Sequence, residues 1–418
     1  MTKIYIHTFG CQMNEYDSER MEAAVLEDSG FTLVRNEEDA DVIIVNTCSV
    51  RKHAEERAMS YVGRHVKDKK VIIAGCMAQS LKKDLKRQFQ NIHAIVGTFR
   101  FDEIADIIKK GGIYTEEDHN AYSVNIKRAG KVRGFVAIMQ GCDNFCSYCI
   151  VPYVRGREKS RAFAEIREEI EMLAKNGTKE ITLLGQNVNS YNDKGMNFPA
   201  LLKELAKIDG IMRLRFMTSH PKDLSDELID TMASDKKLCK HFHLPVQSGS
   251  DKILKAMNRK YTTANYTEKI NKIRRKIPGC AITTDILIGF PDETDADFQD
   301  TVRLLENIRF DDAYVFKYSQ RPGTAAAKMN DDVSEENKKK RVNYILDLQK
   351  KISEDINNKL TGSEAEVLVY SVRSGEARAI TDTNKRVYIK GVEDLTGQTL
   401  MVKIVEARAG ALTGGVIK

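Results

Sequence analysis

The sequence predicts an α/β protein of three successive domains, and three observations support this fold class. Residues 1–120 alternate short apolar runs with helical patterns, as in a doubly wound parallel sheet. Residues 133–360 contain a second alternating series of six strand–helix units, which predicts a partial (βα)6 barrel. Residues 361–418 alternate with a period of two, which predicts a small antiparallel β-barrel. The length of 418 residues agrees with about three domains.

In the first domain, apolar runs predict buried parallel strands at residues 3–8, 41–46, 71–75 and 94–97. Helical patterns lie between and after these runs, at residues 17–29, 53–66, 82–88 and 101–109. A polar stretch follows from Gly111 to about residue 131, and we interpret it as a linker.

The second domain is predicted to contain strands at residues 135–140, 181–186, 213–218, 241–247, 281–289 and 313–318. The helical patterns of this domain lie at residues 162–176, 199–207, 225–232, 265–276 and 296–308. A basic helical run at residues 334–360 is expected to close the domain. In the third domain, strands are predicted at residues 364–369, 377–381, 386–390 and 399–407.

Charge and hydropathy exclude several classes of protein. The 66 basic and 60 acidic residues give a formal net charge of +6, a modest excess that is compatible with a polyanionic partner. The apolar runs are all shorter than the ~20 residues that a membrane span needs. The N-terminal segment enters a strand pattern directly and lacks the apolar core of a secretory signal. We therefore expect a cytoplasmic protein without a membrane partner.

Three of the eight cysteines form one compact motif, in which Cys142, Cys146 and Cys149 are spaced C-x3-C-x2-C. Zinc modules usually supply four ligands, and a fourth cysteine or histidine is missing nearby. Three thiolates that hold a [4Fe–4S] cluster leave one iron open to an external ligand, which S-adenosylmethionine fills through its amino and carboxylate groups. The motif follows the first predicted strand of the barrel series, at the end where such barrels carry their active sites.

A second group of cysteines is dispersed along the first domain. Cys11, Cys48 and Cys76 each follow the carboxyl end of a different predicted strand. These ends share one edge of a parallel sheet, where ligands bind, so we expect the three thiols to meet and to hold a second cluster. Buried cysteine is also a common small hydrophobe, which is how we interpret Cys239 and Cys280.

The cysteine motif and several further stretches resemble one known family. The motif lies within GCDNFCSYCIVPY at residues 141–153, which RGRE follows at residues 155–158. Together with LGQNVNSY, TSHPK, LPVQSGS and MNRKY downstream, this resembles the radical S-adenosylmethionine methylthiotransferases, and among them the MiaB-type tRNA enzymes. The resemblance covers nearly the whole chain and implies an N-terminal methylthiotransferase domain, a radical S-adenosylmethionine domain and a C-terminal TRAM-like domain.

The resemblance implies an enzyme that inserts a methylthio group at C2 of N6-isopentenyladenosine, at position 37 of tRNA. By the family's logic, two [4Fe–4S] clusters and two molecules of S-adenosylmethionine take part, one as methyl donor and one as source of the 5′-deoxyadenosyl radical. The LGQNVNSY stretch favours this substrate over threonylcarbamoyladenosine in tRNA or an aspartate of a ribosomal protein. A non-catalytic iron–sulfur protein is disfavoured, because simple electron carriers usually ligate every iron with protein.

Further residues are candidates for the cofactor. Tyr148 lies between the last two cysteines and is expected to pack on the adenine ring. Polar residues at the ends of two barrel strands are candidates for binding the methionine amino group and the ribose: Gln186, Asn187, Gln247 and Ser248. Asp285, on a third strand, is a looser match to the cofactor-facing strand of the family. We expect no catalytic residue beyond the cluster ligands.

Two basic segments are candidates for RNA binding. Arg155 and Arg157, with Lys159 and Arg161, follow the cluster motif and are expected to meet phosphates near the active site. The β-barrel offers a mixture of basic and aromatic residues that suits structured RNA: Tyr370, Arg373, Arg378, Lys385, Arg386 and Tyr388. The expected partners are the anticodon stem-loop of a tRNA that carries isopentenyladenosine and a flavodoxin- or ferredoxin-like reductant, and we expect a monomer.

Overall fold

The computed structural model of the protein describes residues 1–50, 52–117 and 131–417. Residues 118–130, which make up most of the predicted linker, lie outside the described residues. Among the described helices, none combines the length and the apolar character that crossing a membrane requires.

The N-terminal domain is a parallel six-stranded sheet with the strand order β2-β1-β3-β4-β5-β6. One apolar core covers each face, so the doubly wound prediction is confirmed. The strands are β1 (Thr2–Thr8), β2 (Phe31–Leu33), β3 (Val42–Thr47), β4 (Lys70–Gly75), β5 (Ala94–Val96) and β6 (Gly112–Tyr114). The helices are α1 (Gln12–Leu26), α2 (Lys52–His65), α3 (Cys76–Leu81), α4 (Lys83–Gln88) and α5 (Ile104–Lys110).

The sequence did not predict β2, β6 or α3. The two strands have three residues each and lie at the edges of the sheet, too short for an apolar pattern to stand out. α3 begins directly at Cys76, and the backbone breaks at Lys82, where φ is 40°, before α4. The helix predicted at residues 82–88 is therefore the second of two short helices.

Among its described residues, the central domain contains six parallel strands in chain order, as predicted, and four strands of two residues each, which form two antiparallel pairs. The six parallel strands form two three-stranded sheets, β7-β10-β13 and β14-β15-β16, which are linked by a parallel bridge from Leu214 to Leu238. The strands are β7 (Arg133–Ala137), β8 (Met139–Gln140), β9 (Lys159–Ser160), β10 (Glu180–Leu184), β11 (Asn192–Asp193), β12 (Met196–Asn197), β13 (Arg213–Phe216), β14 (His241–His243), β15 (Ala281–Ile288) and β16 (Asp312–Lys317). The helices are α6 (Val151–Arg155), α7 (Phe163–Lys175), α8 (Phe198–Leu205), α9 (Asp226–Ser234), α10 (Asp251–Ala256), α11 (Thr263–Lys276), α12 (Asp295–Ile308) and α13 (Glu335–Asn358).

The C-terminal domain is a closed barrel with the strand order β17-β18-β19-β21-β20. Its β19–β21 pair is parallel, which corrects the prediction of a purely antiparallel barrel. A ring with an odd number of strands cannot alternate direction all the way round, so one neighbouring pair must be parallel. The fifth strand was not predicted, because two glycines interrupt its pattern. The strands are β17 (Glu364–Arg373), β18 (Glu376–Thr381), β19 (Arg386–Lys390), β20 (Thr399–Arg408) and β21 (Ala411–Val416).

The C-terminal barrel docks against the amino-terminal ends of the central strands. Arg213 Nη1, at the start of β13, donates to the carbonyl of Ile380 at 2.7 Å. Arg215 Nη1 and Nη2 donate to the carbonyls of Asp382 and Thr381, each at 3.0 Å. The cysteine motif follows the opposite, carboxyl-terminal ends of the central strands. The barrel therefore binds the central domain at the end away from the cysteines.

Candidate iron–sulfur and cofactor site

The loop from residue 141 to residue 150 presents the three cysteines of the central domain. Its start is fixed at Gly141, whose N–H donates to Gln186 Oε1 at 2.6 Å. Gly141 has a φ of +79°, and a Cβ at this position would lie 2.0 Å from the carbonyl oxygen of Arg157. The middle of the loop is held by Ser147, whose N–H donates to the carbonyl of Met257 at 3.0 Å. The cysteines are thus carried by a loop with a defined path.

Burial and mutual proximity distinguish these thiols from surface cysteines. Burial, followed by the influence of Cys146, raises the pKa of Cys149 to about 12. Burial also raises the pKa of Cys142, with Cys146 again contributing in the same direction. Iron binding requires deprotonated thiols, so cluster assembly at this loop releases protons.

Arg259 supplies a positive charge to this loop. Its side chain is 4% exposed, and Nη1 lies 3.4 Å from the sulfur of Cys146. Nη2 donates to the carbonyl of Pro245 at 2.6 Å, and Nε donates to the hydroxyl of Tyr261 at 2.9 Å. Arg259 lies in the MNRKY stretch, from which no role for it was predicted. The signal in the sequence that could have identified it was a basic residue between two polar neighbours, Asn258 and Lys260.

The three cysteines of the N-terminal domain lie at one edge of the sheet, as predicted. Cys11 precedes α1 after the end of β1, Cys48 follows β3 and Cys76 begins α3 directly after β4. Cys11 is exposed, whereas Cys48 and Cys76 are buried. The strands that precede the three cysteines, β1, β3 and β4, lie side by side in the sheet. Burial raises the pKa of Cys76 to about 12.

A buried network of amides aligns these three loops. Asn14 accepts through Oδ1 from the N–H of Cys11 at 3.2 Å and donates through Nδ2 to Asn46 Oδ1 at 3.1 Å. Asn46 in turn donates to the carbonyl of Asn14 at 2.8 Å. The network leaves no room for a side chain at Gly75, because a Cβ there would lie 2.5 Å from Asn46 Oδ1. Sequence reasoning missed both asparagines, since each acts through a partner about 30 residues away.

The donor set of each site fits a [4Fe–4S] cluster, because cysteine thiolates are the usual ligands of such clusters. Within the described ranges, no group of three or more histidine, cysteine, aspartate or glutamate side chains is arranged to hold one metal ion. A cubane binds each thiolate through a different iron, so its sulfurs need not converge on one point. Each of the two groups offers three thiols, of which Cys11 is exposed and the other five are buried or half-buried.

The two groups of cysteines face one interface between the domains. Cys76 packs against Ile150 and Val154, which lie one and five residues after Cys149 in the chain. α1 also contacts the central domain, where Met13 and Tyr16 pack against the ends of β7 and β10. The N-terminal sheet edge therefore lies on the mouth of the partial barrel.

A cavity of about 600 Å³ opens beside Cys149 at this interface. Its volume is in the range of small-molecule sites. Arg321 fixes one wall by pairing with Glu55 at 2.6 Å and donating to the carbonyl of Val50 at 3.1 Å. The lining includes three of the candidate cofactor residues together with the loop after Cys48: Tyr148, Gln247, Asp285, Ser49 and Val50.

The other candidate cofactor residues lie elsewhere and hold loops. Gln186 binds the N–H of Gly141, as described above. Asn187 is buried, donates to Asp223 Oδ2 at 2.8 Å and accepts from the N–H of His220 at 3.0 Å. Ser248 is buried and accepts from the N–H of Ser250 at 3.2 Å. Their hydrogen bonds support the loops around the site.

The candidate RNA residues divide into exposed and buried sets. Arg157 is exposed and its guanidinium lies 5.0 Å from the centre of the Phe145 ring. Arg378 and Arg386 are exposed on neighbouring strands of the C-terminal barrel. Arg155, by contrast, is buried against Asp17, and Lys385 pairs with Asp311 at 2.7 Å beneath the barrel. The charges of Arg155 and Lys385 are thus paired with carboxylates of the same chain.

Two protein families match the chain, one in the N-terminal domain and one in the central domain. Residues 136–305 match the radical SAM superfamily, and residues 3–97 match the family described as uncharacterized protein family UPF0004. The chain is 44% identical to tRNA-2-methylthio-N(6)-dimethylallyladenosine synthase of Alkaliphilus oremlandii, with 100% of this chain and 93% of the relative covered. It is 47% identical to the enzyme of the same name from Thermodesulfovibrio yellowstonii, with 99% and 98% covered.

Two solved structures share the fold at low identity. The radical S-adenosylmethionine methyltransferase TsrM from Kitasatospora setae has a TM-score of 0.59 at 15% identity, with 78% of this chain and 74% of that chain covered. The cobalamin-dependent S-adenosylmethionine radical enzyme OxsB has a TM-score of 0.51 at 9% identity, with 84% and 56% covered. The full-length identities above are the stronger evidence, and they show that the chain belongs to the family of the tRNA-2-methylthio-N(6)-dimethylallyladenosine synthases.

Proposed function

We propose that this protein is a transferase that inserts a methylthio group at C2 of N6-isopentenyladenosine in tRNA. One observation carries the proposal: Cys76 packs against Ile150 and Val154, one and five residues after Cys149, which brings both groups of cysteines to one interface beside one cavity. A reaction that joins sulfur transfer to radical chemistry needs both groups within reach of one substrate atom. The relatives that share the full length of the chain carry the name of this activity.

Cys142, Cys146 and Cys149 would hold the cluster at which S-adenosylmethionine is cleaved, and Cys11, Cys48 and Cys76 would hold the cluster that carries the sulfur. With both clusters and S-adenosylmethionine bound, the cofactors would supply the methyl group and the radical that removes the hydrogen from C2, and an external reductant would supply the electron. Because C2 of adenine carries no acidic proton, an ordinary general base has no task at this carbon. The protein therefore contributes binding, orientation and exclusion of water.

The cavity beside Cys149 would bind S-adenosylmethionine. Tyr148 offers an aromatic face to the adenine, and Gln247 and Asp285 offer polar groups to the amino group and the ribose. Gln247 is held in a left-handed conformation with a φ of +73°, between hydrogen bonds to the backbone of Asp285 and Leu287. These bonds fix the direction of its side chain before the cofactor enters.

The tRNA would approach from the exposed face of the cluster loop and from the C-terminal barrel. Arg157 beside the loop, and Arg378 and Arg386 on the barrel, are the exposed cations that we assign to phosphate contacts. Arg155 and Lys385 are left out of this surface because both are paired within the chain and shielded from solvent, whereas the pair of Arg157 with Asp143 is exposed. The target base must leave the stack of the anticodon loop to reach the cavity.

The remaining partners follow from the chemistry. A flavodoxin- or ferredoxin-like protein would deliver the electron, and the enzyme would act as a monomer in the cytoplasm. We take residues 1–120, 133–360 and 361–418 as the domains for sulfur transfer, radical formation and RNA binding.

The proposal is tested by mass spectrometry of tRNA nucleosides from cells that lack the gene. We expect the methylthio nucleoside to be absent and N6-isopentenyladenosine to accumulate. Return of the wild-type gene should restore the product, and a gene with Cys149→Ala should not. Normal methylthio nucleoside in the deletion, with loss of a threonylcarbamoyl derivative instead, would assign the protein to a different substrate.

A further inference from the structure

Arg155 connects the two domains from a buried position. It is the last residue of α6, six residues after Cys149, and its side chain is 4% exposed. Nη2 pairs with Asp17 Oδ2 at 2.5 Å, and Asp17 lies in α1, the helix that follows Cys11. Nη1 is also buried, and it has no hydrogen-bond partner among the described residues. One arm of the guanidinium is thus satisfied and the other is not.

The unsatisfied arm belongs to a side chain that lies beside the N-terminal cysteines. Cys76 packs against Ile150 and Val154, so the helix that ends at Arg155 lies directly on this thiol. Asp17, the partner of Arg155, lies in the helix that begins directly after Cys11, so the guanidinium is held between the segments that carry Cys11 and Cys76. The cysteines of the N-terminal domain are therefore neighbours of a guanidinium supplied by the central domain.

A buried N–H without an acceptor is unfavourable, because the group has lost its water and gained no partner. A [4Fe–4S] cluster held by three thiolates carries negative charge and has sulfur atoms that accept hydrogen bonds. Hydrogen bonds to these sulfurs and nearby charges are among the factors that set a cluster's reduction potential. Such a cluster would satisfy both the charge and the free arm of Arg155.

We propose that Arg155 is a positioning residue of the N-terminal cluster, and that Nη1 donates a hydrogen bond to the sulfur-bearing group held by Cys11, Cys48 and Cys76. This role rests on the function proposed above. By this hydrogen bond, α6, the helix that follows the radical-site loop, would hold the sulfur donor at a fixed position relative to the site where the radical forms. Arg155 acts through the cluster and does not touch the tRNA.

The alternative is that Arg155 only neutralises Asp17. A charge-neutral double variant, Asp17→Asn with Arg155→Gln, separates the two roles. It removes both members of the ion pair, so the local net charge is unchanged and no buried charge is left unpaired. If Arg155 only neutralises Asp17, the cluster in this variant should have the reduction potential of the parent. If Arg155 donates a hydrogen bond to the cluster, the potential should differ from that of the parent.

The experiment uses the full chain with Cys142, Cys146 and Cys149 replaced by alanine, so that iron signals come from the N-terminal site alone. Iron content and the reduction potential, followed by electron paramagnetic resonance during a redox titration, are measured for the parent and for each variant. Arg155→Lys is included because an ammonium keeps the charge but loses the second arm of the fork. Arg167→Gln, on the exposed face of α7, is the control.

We expect the double variant and Arg155→Lys to retain iron and to be harder to reduce. At the parent's midpoint potential, the ratio of reduced to oxidised cluster should fall about tenfold, which corresponds to 59 mV for a one-electron couple. In the chain with all six cysteines, we expect the same variants to form more 5′-deoxyadenosine per methylthio product. This ratio reports on coupling between the sites and is insensitive to the amount of folded enzyme.

A double variant whose potential and coupling match those of Arg167→Gln would overturn the positioning role and leave the proposed function in place. A parent that binds no iron through Cys11, Cys48 and Cys76 would overturn both, because the N-terminal cluster would then not exist. The two failures are therefore distinguished by the iron content of the parent.

Discussion

The guanidinium of Arg259 donates from Nη1 to the sulfur of Cys146 across 3.4 Å. Its other arms are bound to neutral groups, the carbonyl of Pro245 and the hydroxyl of Tyr261. A buried positive charge thus lies against Cys146, one of the three cysteines that we assign to the radical site. Reduction adds negative charge to a cluster that already carries three thiolates, so a nearby cation favours the reduced form.

Replacing Arg259 with glutamine should therefore lower the reduction potential of the cluster at Cys142, Cys146 and Cys149 while leaving the iron in place. We expect 5′-deoxyadenosine formation with a weak reductant to fall by about tenfold or more, which is the effect of a 59 mV shift in a one-electron couple. A strong reductant should restore most of this activity. Lys260→Gln, at the exposed neighbour, is the control. Equal losses with both reductants would show that Arg259 acts on folding or cofactor binding instead.

Two separate clusters predict a simple result for iron content. The reconstituted chain should bind about 8 iron atoms, and replacement of Cys142, Cys146 and Cys149 with alanine should leave about half of them. Cys239→Ala and Cys280→Ala are matched controls, because both residues are buried in the central domain apart from the two groups. Complete loss of iron from the triple variant, or no loss, would contradict the assignment of two independent sites.

The positions of the two groups of cysteines could be predicted from the sequence, because they depend on short motifs and on where the strands end. The spacing of Cys142, Cys146 and Cys149 is visible in eight consecutive residues. Cys11 and Cys76 required the further rule that parallel strands end at one edge of their sheet. Their convergence depends only on the identification of the strands, which the apolar run before each cysteine indicates.

The roles of the charged residues were not accessible in this way. Arg155 was expected to bind RNA, but its partner Asp17 lies 138 positions away in another domain. Lys385 is bound to Asp311, 74 positions earlier in the chain. Local pattern does not reveal whether a basic residue meets solvent or a distant carboxylate, because packing between domains decides it.

The exposed arginines of the C-terminal barrel give a prediction for tRNA binding. Arg378 lies directly opposite Tyr388 on the neighbouring strand, and Arg386 is two residues from Tyr388 on the same strand. Replacing both arginines with glutamine should weaken tRNA binding and make the slope of log K against log salt shallower by about 1.5, since each phosphate contact contributes roughly 0.7–0.9. Binding measured by filter retention or anisotropy at several salt concentrations provides the test.

Lys385→Gln serves as the internal comparison for this pair. Its ammonium is bound to Asp311 and Asn357, so its loss should lower thermal stability without changing the salt slope. A salt slope that is unchanged by the double arginine replacement would remove this face of the barrel from the RNA surface.

His220 predicts how stability depends on pH. Burial, reinforced by the charge of Arg259, lowers the pKa of His220 to about 2, so the folded chain keeps this imidazole neutral. The unfolded chain binds a proton at His220 below about pH 6.5, and the folded chain does not until much lower pH. The contribution of His220 to stability is therefore complete above pH 6.5 and declines as the pH falls, by up to about 1.4 kcal/mol per pH unit.

The His220→Asn variant should remove this dependence. Its side-chain oxygen can replace Nδ1 as the acceptor for the N–H of Lys222, which lies 3.2 Å away. We expect the difference in melting temperature, wild type minus variant, to decrease as the pH is lowered from 7 to 5. A constant difference over this range would show that His220 does not resist protonation.

The last prediction separates the roles of the two groups of cysteines. Cys76 belongs to the site that we assign to sulfur, and Cys149 belongs to the site that we assign to the radical, although both lie at one interface. A Cys76→Ala variant should still cleave S-adenosylmethionine to 5′-deoxyadenosine under a strong reductant and should form no methylthio product. A Cys149→Ala variant should form no 5′-deoxyadenosine, because the iron that binds the cofactor depends on this ligand.

Both products are measured in the same anaerobic reaction by mass spectrometry, with tRNA that carries isopentenyladenosine as substrate. The Cys280→Ala variant, whose thiol is also buried with a pKa raised to about 12 by burial, controls for the loss of any buried thiol and should behave as wild type. The joint outcome matters more than either activity alone. Packing of Cys76 against the helix behind Cys149 means that damage to folding would reduce both products in both variants, whereas a division of roles removes a different product from each. Methylthio product from Cys76→Ala, or 5′-deoxyadenosine from Cys149→Ala, would refute that division.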